Sequence, residues 1–365
     1  MPVGFMITLV LLGVLVILAL IRLRYFGSRL FILALPAGEL PHFAIVYLGL
    51  STLLAWHDSS LTGPVATVLF GVAGLLLFGL LVLLHRALQA RRNIHQIIRK
   101  HGQQLVGSKI WWLRPLLFPF PWRPPSVLRT GRIMYGKDPR QRLDVYHPRK
   151  ATTPGPVLVY FHGGGYSSGG NRREARTLLY HLCARGWTCI SATYRLRPRF
   201  GFTDHLADAQ TVLTWAHTHA GDYGGDTATV VMAGSSAGGH LTALCALNQH
   251  EHGFARVDAA VSLYAYYGRY YGRDENESPI STALALDASN APPFFIVHGD
   301  HDSYVPVEEA RQLRDHLVQN SAQEPWYVEL PGAQHGFDAF ASWRFMAVIE
   351  GIDAFFNREL PRRHS

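Results

Sequence analysis

The chain has 365 residues, of which 48% are hydrophobic and 16% charged, with a formal net charge of +8. That length holds one large domain plus a smaller region, and so apolar a composition points to membrane segments. The charge is uneven: residues 1–150 carry 18 Lys and Arg against 4 Asp and Glu, and residues 151–365 carry 16 against 22, so a front of +14 precedes a remainder of −6. This distribution argues against a nucleic-acid binder, whose basic surface belongs on the folded domain itself, and suits a front segment facing anionic lipid headgroups. The three cysteines, Cys183, Cys189 and Cys245, form neither a disulfide framework nor a metal-ligand pattern; all sit in apolar stretches and are expected as buried free thiols.

In chain order, residues 3–21 are uncharged and long enough to span a bilayer. The run lacks a preceding Lys or Arg and exceeds the usual apolar length of a signal peptide, so a retained transmembrane helix is expected. Residues 40–56 form a second uncharged run, preceded by the apolar fragment 30–36 and interrupted by Pro36 and Pro41. Residues 65–84 are a third, almost pure Leu, Val, Phe, Gly and Ala. Arg22, Arg24 and Arg29 follow the first run, and Arg86, Arg91, Arg92, Arg99 and Lys100 the third, whereas the connection 57–63 has Asp58 and no Lys or Arg. By the positive-inside rule this predicts a multi-pass protein of the cell (inner) membrane with its C-terminal part in the cytoplasm. The predicted organisation is a transmembrane region over 1–84, a basic aromatic interfacial linker over 85–129 (Trp111, Trp112, Phe118, Phe120 and Trp122 with an extended proline-rich stretch), and a catalytic domain over 130–365.

Beyond residue 129 strand and helix signals alternate. Strand-like runs fall at 132–135, 142–146, 156–161, 187–193, 229–232, 259–264, 294–297 and 326–330, and helical patterns at 172–184, 204–219, 237–248, 307–319 and 341–356. Continuously apolar strands are those buried on both faces of a parallel sheet. The pattern therefore predicts an α/β fold with a mostly parallel, doubly wound sheet.

Within this frame, residues 231–240 read as a strand, a tight turn and a helix carrying G-x-S-x-G as Gly234-Ser235-Ser236-Ala237-Gly238. A nucleophile elbow places its serine on such a strained turn, above the sheet and at a helix N-terminus. Ser235 is the lesser candidate, because positions 233 and 237 are alanines. His162-Gly163-Gly164-Gly165-Tyr166 follows the strand at 156–161, and its glycines let backbone N–H groups approach a substrate. A P-loop is disfavoured because its Lys and Ser/Thr are absent. Gly164, Gly165 and Ala237 are the expected donors to an oxyanion. The strand at 294–297 ends in an acidic loop with Asp300 and Asp302, of which Asp302 is preferred, and the strand at 326–330 leads to His335. The order Ser, Asp, His with each residue after a strand is that of a serine hydrolase on a doubly wound sheet. No cofactor or metal is expected. His298 and His301 are assigned to ordinary loop hydrogen bonding.

In order and spacing, 162–166, 234–239, 298–306 and 332–337 resemble the esterase/lipase branch of the α/β-hydrolases. The HGGG form resembles the hormone-sensitive-lipase-like enzymes and related bacterial carboxylesterases, and Leu143-Asp144-Val145-Tyr146, residues 192–196 and Tyr223-Gly224-Gly225-Asp226 resemble further segments of that group. The resemblance covers about residues 130–358. It implies the α/β-hydrolase fold, a Ser236–Asp302–His335 triad and an oxyanion hole of Gly164, Gly165 and Ala237, with His162, Gly163, Gly234 and Gly238 supporting the two motifs. The acid loop HGDHDSYVP is closer to BD-FAE-like esterases and to serine peptidases of this fold than to the lipase-like D-P-L form, and the apolar front is foreign to most soluble members. The expected activity is hydrolysis of an acyl ester, including a lipid reached from the bilayer. Peptidase, amidase and acyltransferase chemistry use the same triad and stay open, as does a non-catalytic tethered binding protein. The tyrosine-rich stretch 264–271 is open between a pocket lining and a packed surface turn.

Overall fold

The front of the protein is helical. In the computed structural model, which describes all residues except 1–2, 23–29, 59–60, 105–108, 152, 250–252, 272, 275–276 and 361–365, α1 (Val3–Leu20), α2 (Phe31–Glu39), α3 (Pro41–His57) and α4 (Gly63–Lys100) precede α5 (Lys109–Leu117). Arg24 and Arg29, counted with the first basic flank, lie outside the described residues. Helices α1 and α4 are long and apolar enough to cross a membrane, whereas α2 and α3 meet this test only together, as a pair bent by 80°. Pro41 stands at the first turn of α3, where a missing N–H costs nothing but the preceding residue is driven out of helical geometry; Leu40 accordingly has φ −126° and ψ 45°. The run at 40–56 is thus one arm of a bent pair. Phe5, Leu9, Leu12 and Val16 of α1 bury their side chains with Leu76, Leu80 and Leu83 of α4, while Val46, Leu50 and Leu54 of α3 are exposed.

The segment 85–129 departs from the expected linker. Helix α4 runs 38 residues without a break, about 57 Å at 1.5 Å per residue, and its far end is part of the catalytic core. Ala90, Ile94, Ile97 and Ile98 fall on one stripe and pack with Trp326 and Phe355; each buried isoleucine contributes about 1.5–3 kcal/mol. Of the basic residues that read as a membrane flank, Arg91, beside His95, meets Glu350, and Arg86 lies against Gly332. Charge was visible in the sequence, but the apolar stripe beneath it was masked by the polar residues between. Farther on, α5 is helical and Pro119 accepts a hydrogen bond from the Ala341 N–H, with Phe118, Phe120 and Trp122 exposed. The side chains of Trp111 and Trp112 lie outside what is described.

The remainder is an eight-stranded sheet. Its strands are β1 (Val127–Met134), β2 (Arg142–Pro148), β3 (Gly155–Phe161), β4 (Thr188–Ala192), β5 (Gly225–Ser235), β6 (Ala260–Leu263), β7 (Phe294–Gly299) and β8 (Trp326–Leu330), in the order β1-β2-β4-β3-β5-β6-β7-β8. Strand β2 is antiparallel to both its neighbours, and from β4 to β8 all pairs are parallel. Helices α6 (Arg176–Ala184), α7 (Phe202–His219), α8 (Ala237–Leu247), α9 (Val307–Asn320) and α10 (Trp343–Glu359) make the crossovers and the C-terminal cover. Successive side chains of a strand face opposite ways, so Val157, Val159 and Phe161 of β3 enter the core shared with α7 and α8. Leu158 and Tyr160 enter the other, shared with α6, α10 and the end of α4. This is the α/β-hydrolase architecture, with an all-α apolar region in front of it. The three cysteines are free and buried, as expected.

One buried ion pair ties the two regions together. Arg344 of α10 and Glu39 of α2 are both essentially inaccessible and directly paired. Arg344 Nη1 also donates to the Gly38 carbonyl (3.1 Å), its Nη2 to the Pro331 carbonyl (3.1 Å), and Ser342 Oγ donates to Glu39 (2.6 Å). Removing one member of such a pair strands a buried charge at a cost of about 3–5 kcal/mol, so α2 is held in a single position. The exposed pair Lys100–Glu324 adds little by comparison, and Arg22–Glu308 is a second, half-buried tie.

Candidate active site

Each site residue leaves the carboxyl end of a parallel strand, where the crevices of doubly wound sheets lie. Strand β5 ends in Ser235, and Ser236 sits on the turn into α8 with φ 54° and ψ −119°, a region costly to any residue with a Cβ. The turn survives because its surroundings hold it: the Ser236 N–H donates to the Leu263 carbonyl (2.9 Å), and a Cβ on Gly234 or Gly238 would collide with the Gly238 backbone or the Phe161 carbonyl. Tyr166 (φ 60°), at the end of the glycine loop, and Tyr264 (φ 41°), packed on His335, also have positive φ.

His335, in the loop after β8, places Nε2 2.9 Å from Ser236 Oγ and Nδ1 2.8 Å from Asp302 Oδ2. Asp302, in the loop after β7, receives backbone N–H bonds on Oδ1 from Tyr304 and Val305, both 2.8 Å. Burial pushes its carboxyl toward the neutral form, but the His335 charge and hydrogen bonds from His298 and His335 outweigh it and hold the group well below the usual carboxylate range. Ionised Asp302 accepts from His335 Nδ1–H, which leaves Nε2 to accept from the Ser236 hydroxyl. Asp300 faces elsewhere, receiving the Gly332 N–H (2.6 Å) and His301 Nδ1 (2.8 Å). His298 Nε2 is bound to the Val305 carbonyl (3.0 Å) and stands 3.4 Å from Asp302 Oδ2, so beyond the ordinary loop role expected of it His298 also faces the triad carboxylate.

The glycine loop after β3 lies against the elbow. A Cβ on Gly163 would stand 2.9 Å from Ser236 Cβ, and Gly164 (φ 113°) and Gly165 (φ 57°) have backbone open to few other residues. The Gly163 N–H is engaged by Glu174 Oε2 (2.6 Å); among the described residues the N–H groups of Gly164, Gly165 and Ala237 have no acceptor. His162 is buried, stacked on Tyr194 with centroids 4.5 Å apart, and its carbonyl accepts from the Tyr194 hydroxyl (2.9 Å). Burial lowers its pKa to about 4, so it anchors the loop as a neutral ring. No group of His, Cys, Asp and Glu suited to a metal occurs among the described residues.

Several contributors carried no motif that sequence reasoning could assign. Asp338, three residues past His335, is buried and accepts from Ser235 Oγ (2.6 Å) and from the Tyr264 hydroxyl, and Tyr160 donates to Ser235 Oγ (2.8 Å). Tyr264 and Tyr304 pack on the His335 ring at 4.6 and 4.8 Å. Of the tyrosines at 264–271, Tyr264 therefore belongs to the site and Tyr267 to the core beside Ser262. Glu174 is a further one: burial, and then the nearby Asp338 carboxylate, raise its pKa to about 7, and burial raises Asp338 as well. No motif marked these acids, since their partners come from distant strands.

The raised pair makes stability pH-dependent. Glu174 binds its proton more readily folded than unfolded, so its contribution favours the fold at low pH and is lost as pH rises from the ordinary range near 4.5 through about 7. Glu174→Gln keeps the acceptor for Gly163 without the charge. Its Tm relative to the parent is expected to be higher at pH 8 than at pH 5; thermal unfolding with the same difference at both pH values contradicts this.

An α/β-hydrolase with a serine at its elbow is what the fold and site define. The BD-FAE family model matches residues 143–269. The chain is 32% identical over 285 residues to Esterase LipC of Mycobacterium tuberculosis (66% of this chain, 70% of that protein). It is also 32% identical over 349 residues to the Probable carboxylic ester hydrolase LipM of that organism, covering 84% of this chain and 81% of the relative. Because the strands and helices from β1 onward make up only about two thirds of the chain, the LipM match extends into the front helices. Among solved structures, Thermogutta terrifontis esterase 2 phosphorylated by paraoxon superposes with a TM-score of 0.55 at 25% identity, over 65% of this chain and 97% of that one. The chain belongs to this carboxylesterase family of α/β-hydrolases and is a carboxylic ester hydrolase.

Proposed function

We propose that the protein is a membrane-anchored serine esterase in which Ser236 is the nucleophile, His335 the general base and acid, and Asp302 the carboxylate that orients His335. The observation that carries the reading is the continuous chain from Ser236 Oγ to His335 to Asp302, with both links under 3 Å. Ser236 Oγ attacks the acyl carbon while its proton passes to His335 Nε2. The carbonyl oxygen becomes an oxyanion facing the N–H groups of Gly164, Gly165 and Ala237, each worth about 3–4 kcal/mol to the transition state. Collapse expels the alcohol, which takes the proton from His335, and water repeats the sequence on the acyl-serine. The named relatives, all esterases, support the ester over the amide or transfer readings. A fluorophosphonate probe applied to membranes containing the full chain tests this: the expected adduct maps to the peptide holding Ser236, and a protein that stays unlabelled contradicts it.

The anchoring reading rests on the apolar helices α1 and α4 and the bent pair between them. Basic residues after the first and third apolar runs, and none between the second and third, favour a multi-pass protein of the cell (inner) membrane with the esterase half in the cytoplasm. Arg86 of α4 stands where apolar residues give way to charged ones. It approaches His301 at 3.3 Å, which supports a reading in which the active-site loops lie near the membrane surface and a lipid ester is the substrate. A reporter fused after Ser365 is expected to behave as cytoplasmic; a reporter active only on the opposite side overturns the orientation.

A further inference from the structure

Ser236 and His335 are only 4% and 5% exposed, and part of what covers them belongs to the apolar front. The Phe31 ring, at the start of α2, meets the His335 imidazole edge-on with centroids 5.1 Å apart and planes at 75°, and lies 5.7 Å from Tyr304. With Tyr264 and Tyr304 it completes an aromatic enclosure around the imidazole. Leu35, four residues and about one turn later, faces the same place: a Cβ on Gly336 would lie 3.5 Å from Leu35 Cδ1 and 3.6 Å from Phe31 Cε2. The buried Glu39–Arg344 pair fixes the other end of α2. On the outer side Ile32 and Leu33 are exposed, and beyond the 80° bend the exposed Val46, Leu50 and Leu54 of α3 continue the apolar surface. Apolar side chains therefore run from the exposed face of α3 along α2 to the ring of His335.

We propose that α2 is a wall of the active site, and that Phe31 is a specificity-determining residue which receives the long apolar chain of a membrane-resident ester while its carbonyl reaches Ser236. This rests on the serine esterase reading above. The physical reason is that a long acyl or alkyl chain loses favourable burial if it must leave the bilayer for water; a wall continuous with the membrane helices lets it stay buried. The esterase fold supplies the chemistry, and the front helices supply the preference for chain length.

The test compares the full-length parent, Phe31→Ala and Phe31→Leu in detergent micelles on p-nitrophenyl butyrate and p-nitrophenyl laurate. Phe31→Ala is expected to lower the laurate-to-butyrate ratio of kcat/KM by about tenfold, mainly through the KM for laurate, and to leave the pH profile in place; Phe31→Leu restores most of that ratio. An equal loss on both esters, or a displaced pH profile, would mean that Phe31 only holds His335, and no change on either would mean that α2 lies outside the substrate's reach. Both results overturn the proposal. Ser236→Ala, run alongside, separates the two readings: turnover surviving there refutes the nucleophile, while the laurate-to-butyrate ratio of the Phe31 variants still reports on the wall.

Discussion

Ser236→Ala is expected to lower kcat/KM for p-nitrophenyl butyrate by a factor on the order of 10⁴ or more, with the far-UV circular dichroism unchanged. The size follows from the role. Without Oγ no acyl-enzyme forms, and the remaining parts of the site, an oxyanion cradle and an oriented imidazole, offer only what water attack can use. The replacement removes one buried oxygen and its hydrogen bond to His335 Nε2, while Asp302 still holds the ring through Nδ1, so folding is barely affected. Ser235→Ala discriminates the neighbouring hydroxyl: Ser235 donates to Asp338 and accepts from Tyr160, so that variant loses stability rather than the chemical step. Comparable loss of turnover in the two variants, both fully folded, contradicts the assignment of Ser236.

The second large effect is expected at Asp302. In Asp302→Asn the amide cannot accept from His335 Nδ1–H and from the Tyr304 and Val305 N–H groups as the carboxylate does. Either the imidazole takes the other tautomer, with a proton on Nε2 facing Ser236, or the loop opens. The first outcome lowers kcat by about 10⁴-fold at neutral pH. Asp300→Asn, which disturbs only the Gly332 and His301 contacts, is expected to cost less than about tenfold. Steady-state kinetics on the pair decides between the two carboxylates, and a larger loss at Asp300 would reverse the choice. Because His335 and His298 keep Asp302 well below the ordinary carboxylate range, its ionisation also holds part of the fold together above that range, and this contribution is lost only as pH falls into strongly acidic conditions.

Much of the fold was legible because its signals are local. The run at 156–161 is apolar on both faces and became a central parallel strand, β3. The strand at 225–235 began four residues before its apolar stretch, since Gly225 and Asp226 pair with β3 through backbone alone. The predicted helix at 172–184 starts only at Arg176, because Ala175 adopts φ 49° and turns Glu174 toward Gly163. That departure was invisible in a sequence pattern, for it is fixed by a hydrogen bond to a loop on another strand.

From the residues alone come the α/β class, the apolar front, and the elbow, glycine loop, acid loop and His335 loop, because periodicity, turn chemistry and motif spacing are properties of neighbouring residues. Tertiary structure alone decided which carboxylate faces His335, since Asp300 and Asp302 differ by two positions on one loop and only the packing of β7 against β8 orients them. It alone decided that residues 85–100 form core helix, where Ile94 and Ile98 meet the sheet. It alone brought Glu174, Asp338 and Phe31 to the nucleophile, 62, 102 and 205 residues away in the chain. Contacts at such separations depend on closing long loops and burying surfaces together, and no short stretch of sequence records them.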